Sequence, residues 1–262
     1  MRTNELARMS WPEAGEAFRQ DPVVLIPMGT IEQHGPHLPM AADTIVAETV
    51  ALAAASSTAS VLTPAIPFGY CANSRNFPGT VTLPSQLLAE LVQHTIGSLA
   101  QHGARRFILV NNHRSNAAAV QHGAYELRSR RDLLIGSFFP WGTMIAIARQ
   151  RFPDLGEAIG HGGEPESSVM AHLRPRDIGT VADGTARSYS DFQGLPMKSA
   201  SETFIDGHVV NLFRDLDELT PSGVNGDPTQ GDADRGAELL ERTTQVLVSF
   251  IEKFAALNLR QA

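Results

Sequence analysis

The chain carries one cysteine, Cys71, in 262 residues, so no internal disulfide can form. Basic residues are in deficit as well. Lys and Arg total 21 against 28 acids and the formal net charge is -7, which leaves no positive field to gather the phosphates of a nucleic acid. The densest basic run, Arg128-Ser129-Arg130-Arg131, closes a helical stretch, where cations favour the negative end of the helix dipole. Long apolar runs are missing too: TIVAETVALAAA at 44–55 is broken by Glu48 and falls short of the ~20 apolar residues that cross a bilayer. The start, MRTNELARMSW, has no apolar signal core, and with a lone cysteine this sets the expectation of a cytoplasmic protein. No G-x-S-x-G, no H-E-x-x-H, no P-loop and no G-x-G-x-x-G after a strand occurs. Serine hydrolases, zincins, NTPases and dinucleotide enzymes therefore lack their usual marks.

What is present is the composition of a globular protein, 42% hydrophobic and 19% charged, with 22 Gly and 16 Pro for its turns. Four runs are apolar without alternation: VVLIPM (23–28), SVLTPAI (60–66), RFILVNN (106–112) and LLIGSFF (133–139). Strands covered on both faces read this way. Helical periodicity lies between and after them, at about 41–56, 85–102, 116–130 and 232–257, the last with Leu239, Leu240, Val246, Leu247, Phe250 and Phe254 on one stripe. Strand and helix alternate, which predicts an α/β fold around a parallel sheet. The stretch 176–230 is rich in Gly, Asp, Ser and Pro and reads as loops, short strands and a lid or contact region. No linker or repeat divides the chain, so one domain over 1–262 is expected.

Open parallel sheets bind ligands beyond the carboxyl ends of their strands. Here three strand ends lead into GTIEQHGPHLPMAAD (29–43), FGYCANSRNFPGT (68–80) and NNHRSN (111–116), and a fourth polar cluster is HGGEPESS (161–168). Glu32, His34, Asp43, His113 and Glu164 together suit a pair of first-row divalent cations, because imidazole and carboxylate are their usual ligands. Three carboxylates and one hydroxide would balance the four charges of two such ions. Without metal, converging buried carboxylates would repel and raise one another's pKa. Each member alone also has an ordinary reading: Asp43 as a cap for the helix that follows, His34 or His113 as a satisfied polar side chain. Cys71 and Met28 read as packing. His94, His102, His122 and His172 fall in helical stretches and His208 in a loop, and none is proposed as a ligand.

The motifs P-M-G-T-I-E-Q-H-G-P-H-L-P-x-x-x-D, F-G-Y with F-P-G-T, N-N-H-R-S-N, H-G-G-E-P-E-S-S and GVNGDP (223–228) resemble those of the creatininase (creatinine amidohydrolase) family over about residues 20–240. The resemblance implies a three-layer α/β/α sandwich with a mostly parallel central sheet, a binuclear metal centre, hydrolysis of small C–N bonds and often a homohexamer. It implies Glu32, His34 and Asp43 as first-motif ligands with Asp43 bridging, His113 as the histidine of N-G-H, and Glu164 as the first Glu of H-A-G-E-x-E-T-S. His161 corresponds to a residue placed close to the substrate. Departures fall at the pocket. Ser115 stands where the creatinine-hydrolysing branch has a metal-binding Glu, Cys71-Ala72-Asn73-Ser74 replaces S-P-E-H, and Arg114-Ser115 replaces Gly-Gly. A branch other than the creatinine-hydrolysing one is expected.

The resulting expectation is a metal-dependent amidohydrolase that cleaves a non-peptide C–N bond of a small cyclic amide, amide or formamide. Two cations, Zn first with Mn or Fe as alternatives, would arm a bridging hydroxide. His161 is the expected proton carrier, since imidazole titrates near ~6.5, with Glu166 orienting it or capping the following helix. His37, Tyr70, Ser74, Arg114, Ser115 and Trp141 are expected to line the substrate pocket, Arg114 by gripping a carboxylate or ring carbonyl. The alternatives are a lactonase or other small-ester hydrolase on the same centre, and a non-catalytic metal-binding protein of the same fold.

Overall fold

A computed structural model describes residues 2–129, 132–181 and 191–259. In chain order its elements are α1 (Trp11–Arg19), β1 (Val23–Met28), α2 (Ala42–Ser57), β2 (Val61–Leu62), α3 (Ser85–Gln101), β3 (Arg106–Asn111), α4 (Ala117–Arg128) and β4 (Leu134–Phe138), followed by α5 (Pro140–Arg151), α6 (Glu166–Leu173), β5 (Glu202–Ile205), β6 (His208–Asn211) and α7 (Ala233–Ala255). The central sheet runs β2-β1-β3-β4 with every neighbour parallel.

The absence of alternation in the strands has its cause here, because both faces are covered. Val23, Leu25, Ile108, Val110 and Phe138 pack among α2, α5, α6 and α7. Val24, Ile26, Met28, Phe107 and Leu109 pack against α1, α3 and α4 on the other face. This is the three-layer α/β/α sandwich. Leu25, Ile26, Phe107, Ile108 and Leu109 are fully buried, each stabilising the fold by about 1.5–3 kcal/mol relative to exposure, so the strand ends rest on a stiff platform.

Three elements differ from the sequence expectation. β2 stops at Leu62 rather than reaching Ile66, because Pro64 has no N–H for the ladder; Thr63 N and Ile66 N still donate to the Leu25 and Pro27 carbonyls at 3.0 and 2.9 Å. α1 and α5 were not predicted. α1 opens with a capping box between Ser10 and Glu13 and Pro in its first turn, and α5 buries Trp141, Met144 and Ala148 on one stripe. The irregular region does contain short strands, the antiparallel pair β5–β6. Residues 182–190 of that region, and Arg130 and Arg131 of the basic run, lie outside the described residues.

Candidate metal centre

Close backbone approach at Gly29 brings the end of β1 to the start of α2: a Cβ there would sit 2.4 Å from the Thr44 nitrogen. Asp43 is consequently delivered to the end of β1 on the first turn of α2, at the positive end of that helix's dipole. It does not cap the helix. Its Oδ2 accepts from Thr30 Oγ1 at 2.7 Å and from His113 Nδ1 at 2.9 Å, and its Oδ1 accepts from Trp141 Nε1 at 2.6 Å. His34 Nε2 lies 3.3 Å from Oδ1 and Glu32 Oε2 lies 3.2 Å from His113 Nδ1. All four of these acids and imidazoles are buried. Three residues that follow β1 and one that follows β3 thus meet at one point.

The electrostatics are those of a tightly compensated cluster. Burial works against the Asp43 charge, but His34 and His113 outweigh it and hold this carboxyl well below its ordinary range. Burial also opposes charge on His34, yet Asp43, with Glu166 and Glu32, carries its pKa up to about 10. His113 is raised well above the ordinary imidazole value, against its own burial, chiefly by Glu32 and Asp43. Positive charge is what this site demands.

The imidazoles are oriented for ligation. His34 Nδ1 donates to the Glu32 main-chain oxygen at 2.9 Å, and His113 Nε2 donates to the Tyr70 main-chain oxygen at 3.1 Å. Each ring therefore spends its outer N–H on the backbone and turns the other nitrogen toward Asp43 or Glu32. Backbone anchoring of this kind fixes tautomer and ring plane in metal-ligating histidines. The ligand atoms of Glu32, His34 and His161 lie within 4.8 Å of one another, as do those of Glu32, Cys71 and His113. The donor set fits divalent cations that accept mixed oxygen and nitrogen ligands.

Glu164 requires a correction. Its carboxylate accepts from Ser168 Oγ at 2.8 and 2.7 Å and lies 3.7 Å from Arg235 Nε, so it belongs to the contact between α6 and α7 and not to the cluster. Glu166, two residues on, is the carboxylate that interacts with His34, His161 and Asp43. Burial raises its pKa, and the Gly162 N–H holds its Oε2 at 2.7 Å. Gly162 has φ +70, a conformation that glycine adopts without strain, and it packs against the His34 carbonyl. His161 stacks on His34 with ring centroids 4.6 Å apart and donates from Nε2 to the Gln33 carbonyl at 2.8 Å. The GVNGDP segment backs it, with Asn225 N bonding the His161 carbonyl at 2.7 Å.

The expected pocket residues divide. Ser74 is buried and its hydroxyl donates to Glu32 Oε1, so it positions a carboxylate rather than facing substrate. Trp141 likewise holds Asp43. Tyr70 contributes its carbonyl to His113. His37 is buried, with Nε2 3.3 Å from Ser167 Oγ, and burial lowers its pKa. Arg114 is exposed beside the centre, its guanidinium 5.7 Å from the Phe139 ring centroid, and Ser115 is half-buried next to it. Sequence reasoning missed Thr30 and Asn112. Asn112 is fully buried and ties three elements together, taking Trp141 N on its Oδ1 at 2.8 Å and donating to the Asp43 carbonyl at 3.2 Å. Its place between two motif residues was the available signal.

Two outcomes follow from these contacts. Trp141→Phe keeps an aromatic ring, though a smaller one, and removes the donor to Asp43, so metal affinity should fall about 10–100-fold, as for other outer partners of ligands, measured by competition with a chelator. An unchanged affinity would remove Trp141 from the centre. Glu164 is raised by burial to about 7 from 4.5, so the stability it confers is complete below pH 4.5 and is lost as pH rises through 7, on the order of 3 kcal/mol in all. Glu164→Gln should flatten the urea-unfolding midpoint across that window; parallel profiles for both proteins would contradict it.

The site and the sandwich define a metal-binding α/β protein, and comparison with known proteins gives its kinship. The creatininase (creatinine amidohydrolase) family model matches residues 7–251, and the chain belongs to that family. It is 29% identical over 213 residues to creatinine amidohydrolase from Pseudomonas putida, covering 74% of this chain and 82% of the relative. It is 28% identical over 234 residues to mycofactocin precursor peptide peptidase from Mycolicibacterium smegmatis, covering 83% and 79%. A solved structure, "Creatininase Mn", superposes with a TM-score of 0.82 at 24% identity over 97% of this chain and 100% of the other, a likeness of fold.

Proposed function

We propose that the chain is a hydrolase whose Glu32, His34, Asp43, His113 and Glu166 hold two divalent cations and which cleaves the C–N bond of a small cyclic amide, amide or formamide. The observation that carries this is the paired orientation of His34 and His113, each anchored outward to a main-chain carbonyl and presenting its other nitrogen to Asp43 or Glu32. Two ligand groups that share Glu32, one with His113 and one with His34, support two positions rather than one, and Asp43, whose two oxygens face His34 and His113, is the residue that would serve both. When bound, the cations supply Lewis acidity toward a carbonyl oxygen and lower the pKa of a coordinated water. Zn is the first candidate, with Mn or Fe as alternatives, since all three accept this donor set.

The protein's own residues account for the remaining steps. Thr30 and Trp141 clamp opposite oxygens of Asp43, so its carboxylate is held without reorganisation. His161, stacked on His34 and half-buried, carries a proton to the leaving nitrogen, and Glu166 stabilises the imidazolium that this exchange requires. Arg114 stands at the exposed rim, where its planar guanidinium grips a carboxylate or carbonyl of the substrate. Arg114→Ala is expected to raise KM with kcat little changed, in steady-state kinetics; an unaltered KM removes it from the pocket.

The relatives' names favour a second substrate class. One is named for creatinine and one for a precursor peptide, so the restriction to non-peptide bonds becomes one of two readings, with an extended peptide amide as the other. A lactone substrate rests on the shared chemistry of carbonyl attack. The test is a panel of cyclic amides, formamides, short peptides, lactones and creatinine, assayed with metal-loaded protein before and after chelation. Metal-dependent amine release from an amide supports the reading. Lactone turnover without amine release, or a metal-replete protein inert to the whole panel, overturns it.

A further inference from the structure

Cys71 is a buried thiol that the mechanism above leaves unused. Its Sγ, a carboxylate oxygen of Glu32 and a ring nitrogen of His113 lie within 4.8 Å of one another, and all three residues are buried. Neighbouring residues are fastened to the same two side chains: the Tyr70 carbonyl accepts from His113 Nε2 at 3.1 Å, and the Ser74 hydroxyl donates to Glu32. Cys71's own N–H is fixed by Thr82 Oγ1 at 2.9 Å. The thiol's contact with the Val81 carbonyl is a long one at 3.6 Å, and its other hydrogen-bonding partner is the His113 side chain itself, so the sulfur already sits against a proposed ligand. Buried cysteine is most often packing. A carboxylate and an imidazole converging on the same sulfur distinguish this one.

We propose that Cys71 is a thiolate ligand to the cation held by Glu32 and His113, which makes that half of the centre a mixed oxygen, nitrogen and sulfur site that prefers Zn(II) or Co(II) to Mn(II). The inference rests on the metal-centre reading given above. Coordination exchanges the S–H bond for a sulfur–metal bond and releases one proton to solvent, with no change of oxidation state. Soft thiolate ligands favour zinc over the harder manganese ion, whereas carboxylate and imidazole alone discriminate less.

X-ray absorption of the zinc-loaded wild-type protein tests this without any variant. A sulfur shell at about 2.3 Å beside the nitrogen and oxygen shell at about 2.0–2.2 Å is expected. In Cys71→Ser the sulfur shell should vanish and the preference for zinc over manganese should fall at least about tenfold, measured by direct competition. Zinc bound through nitrogen and oxygen alone in the wild type overturns the thiolate and leaves the metal-centre reading intact. A wild-type protein that binds no zinc, manganese or cobalt overturns both.

Discussion

Asp43→Asn is expected to strip the protein of both cations and to lower kcat/KM by roughly a thousandfold or more, since a Lewis-acid centre contributes several kcal/mol to the transition state and each 1.36 kcal/mol is tenfold in rate. The substitution keeps size and shape. Of Thr30 and Trp141, which donate to opposite oxygens, only one can still donate to the single amide oxygen, so one hydrogen bond is lost together with the charge between His34 and His113. That loss strikes both histidines at once, because each faces a different oxygen of the same carboxylate. Removing one partner from a buried charge pair costs about 3–5 kcal/mol, and a lower thermal midpoint of the metal-free variant should accompany the defect. Elemental analysis after dialysis, alongside kcat/KM, reads the outcome; a variant that keeps its full metal content would show that Asp43 is not shared between ions.

His161→Ala should behave in the opposite way toward metal. The centre is assigned to other side chains, so metal content is expected to stay at the wild-type level while kcat falls about 10²–10⁴-fold, the usual worth of a positioned proton carrier. His161 is stacked on His34 but bonded to the Gln33 carbonyl, so its removal leaves the His34 anchor to Glu32 in place. Substrates with good leaving groups, which need little protonation, should lose far less activity than unactivated amides. A variant that loses metal along with activity would reassign His161 as a ligand, a role its proximity to Glu32 and His34 also allows.

The sheet was legible in the sequence because burial on both faces leaves a continuous apolar signature in VVLIPM and RFILVN, and the strand ends followed from it. So did the meeting of Glu32, His34, Asp43 and His113, since in a parallel sheet successive loops empty onto one edge. Glu164 and Glu166 were beyond that logic. They are two residues apart at the entrance to α6, and only the backbone path, with Gly162 at positive φ and its N–H on Glu166, decides which carboxylate meets His34 and which meets Arg235. Trp141 hides for a different reason. The sequence places it only as a pocket-lining residue, because the bond that ties its indole to Asp43 spans 98 residues of sequence. α5 was missed because its stripe is narrow and it opens with Pro140-Trp141-Gly142, residues that read as a turn following β4.

The central claim is that two cations share the Asp43 carboxylate. Anomalous diffraction from crystals of the zinc- or manganese-loaded protein measures this directly. Two peaks are predicted, one on each side of Asp43, the first reached by Glu32 and His113 and the second by His34 and Glu166, with none beside Glu164. A single peak remote from Asp43, or no peak in a protein soaked to saturation, would contradict it.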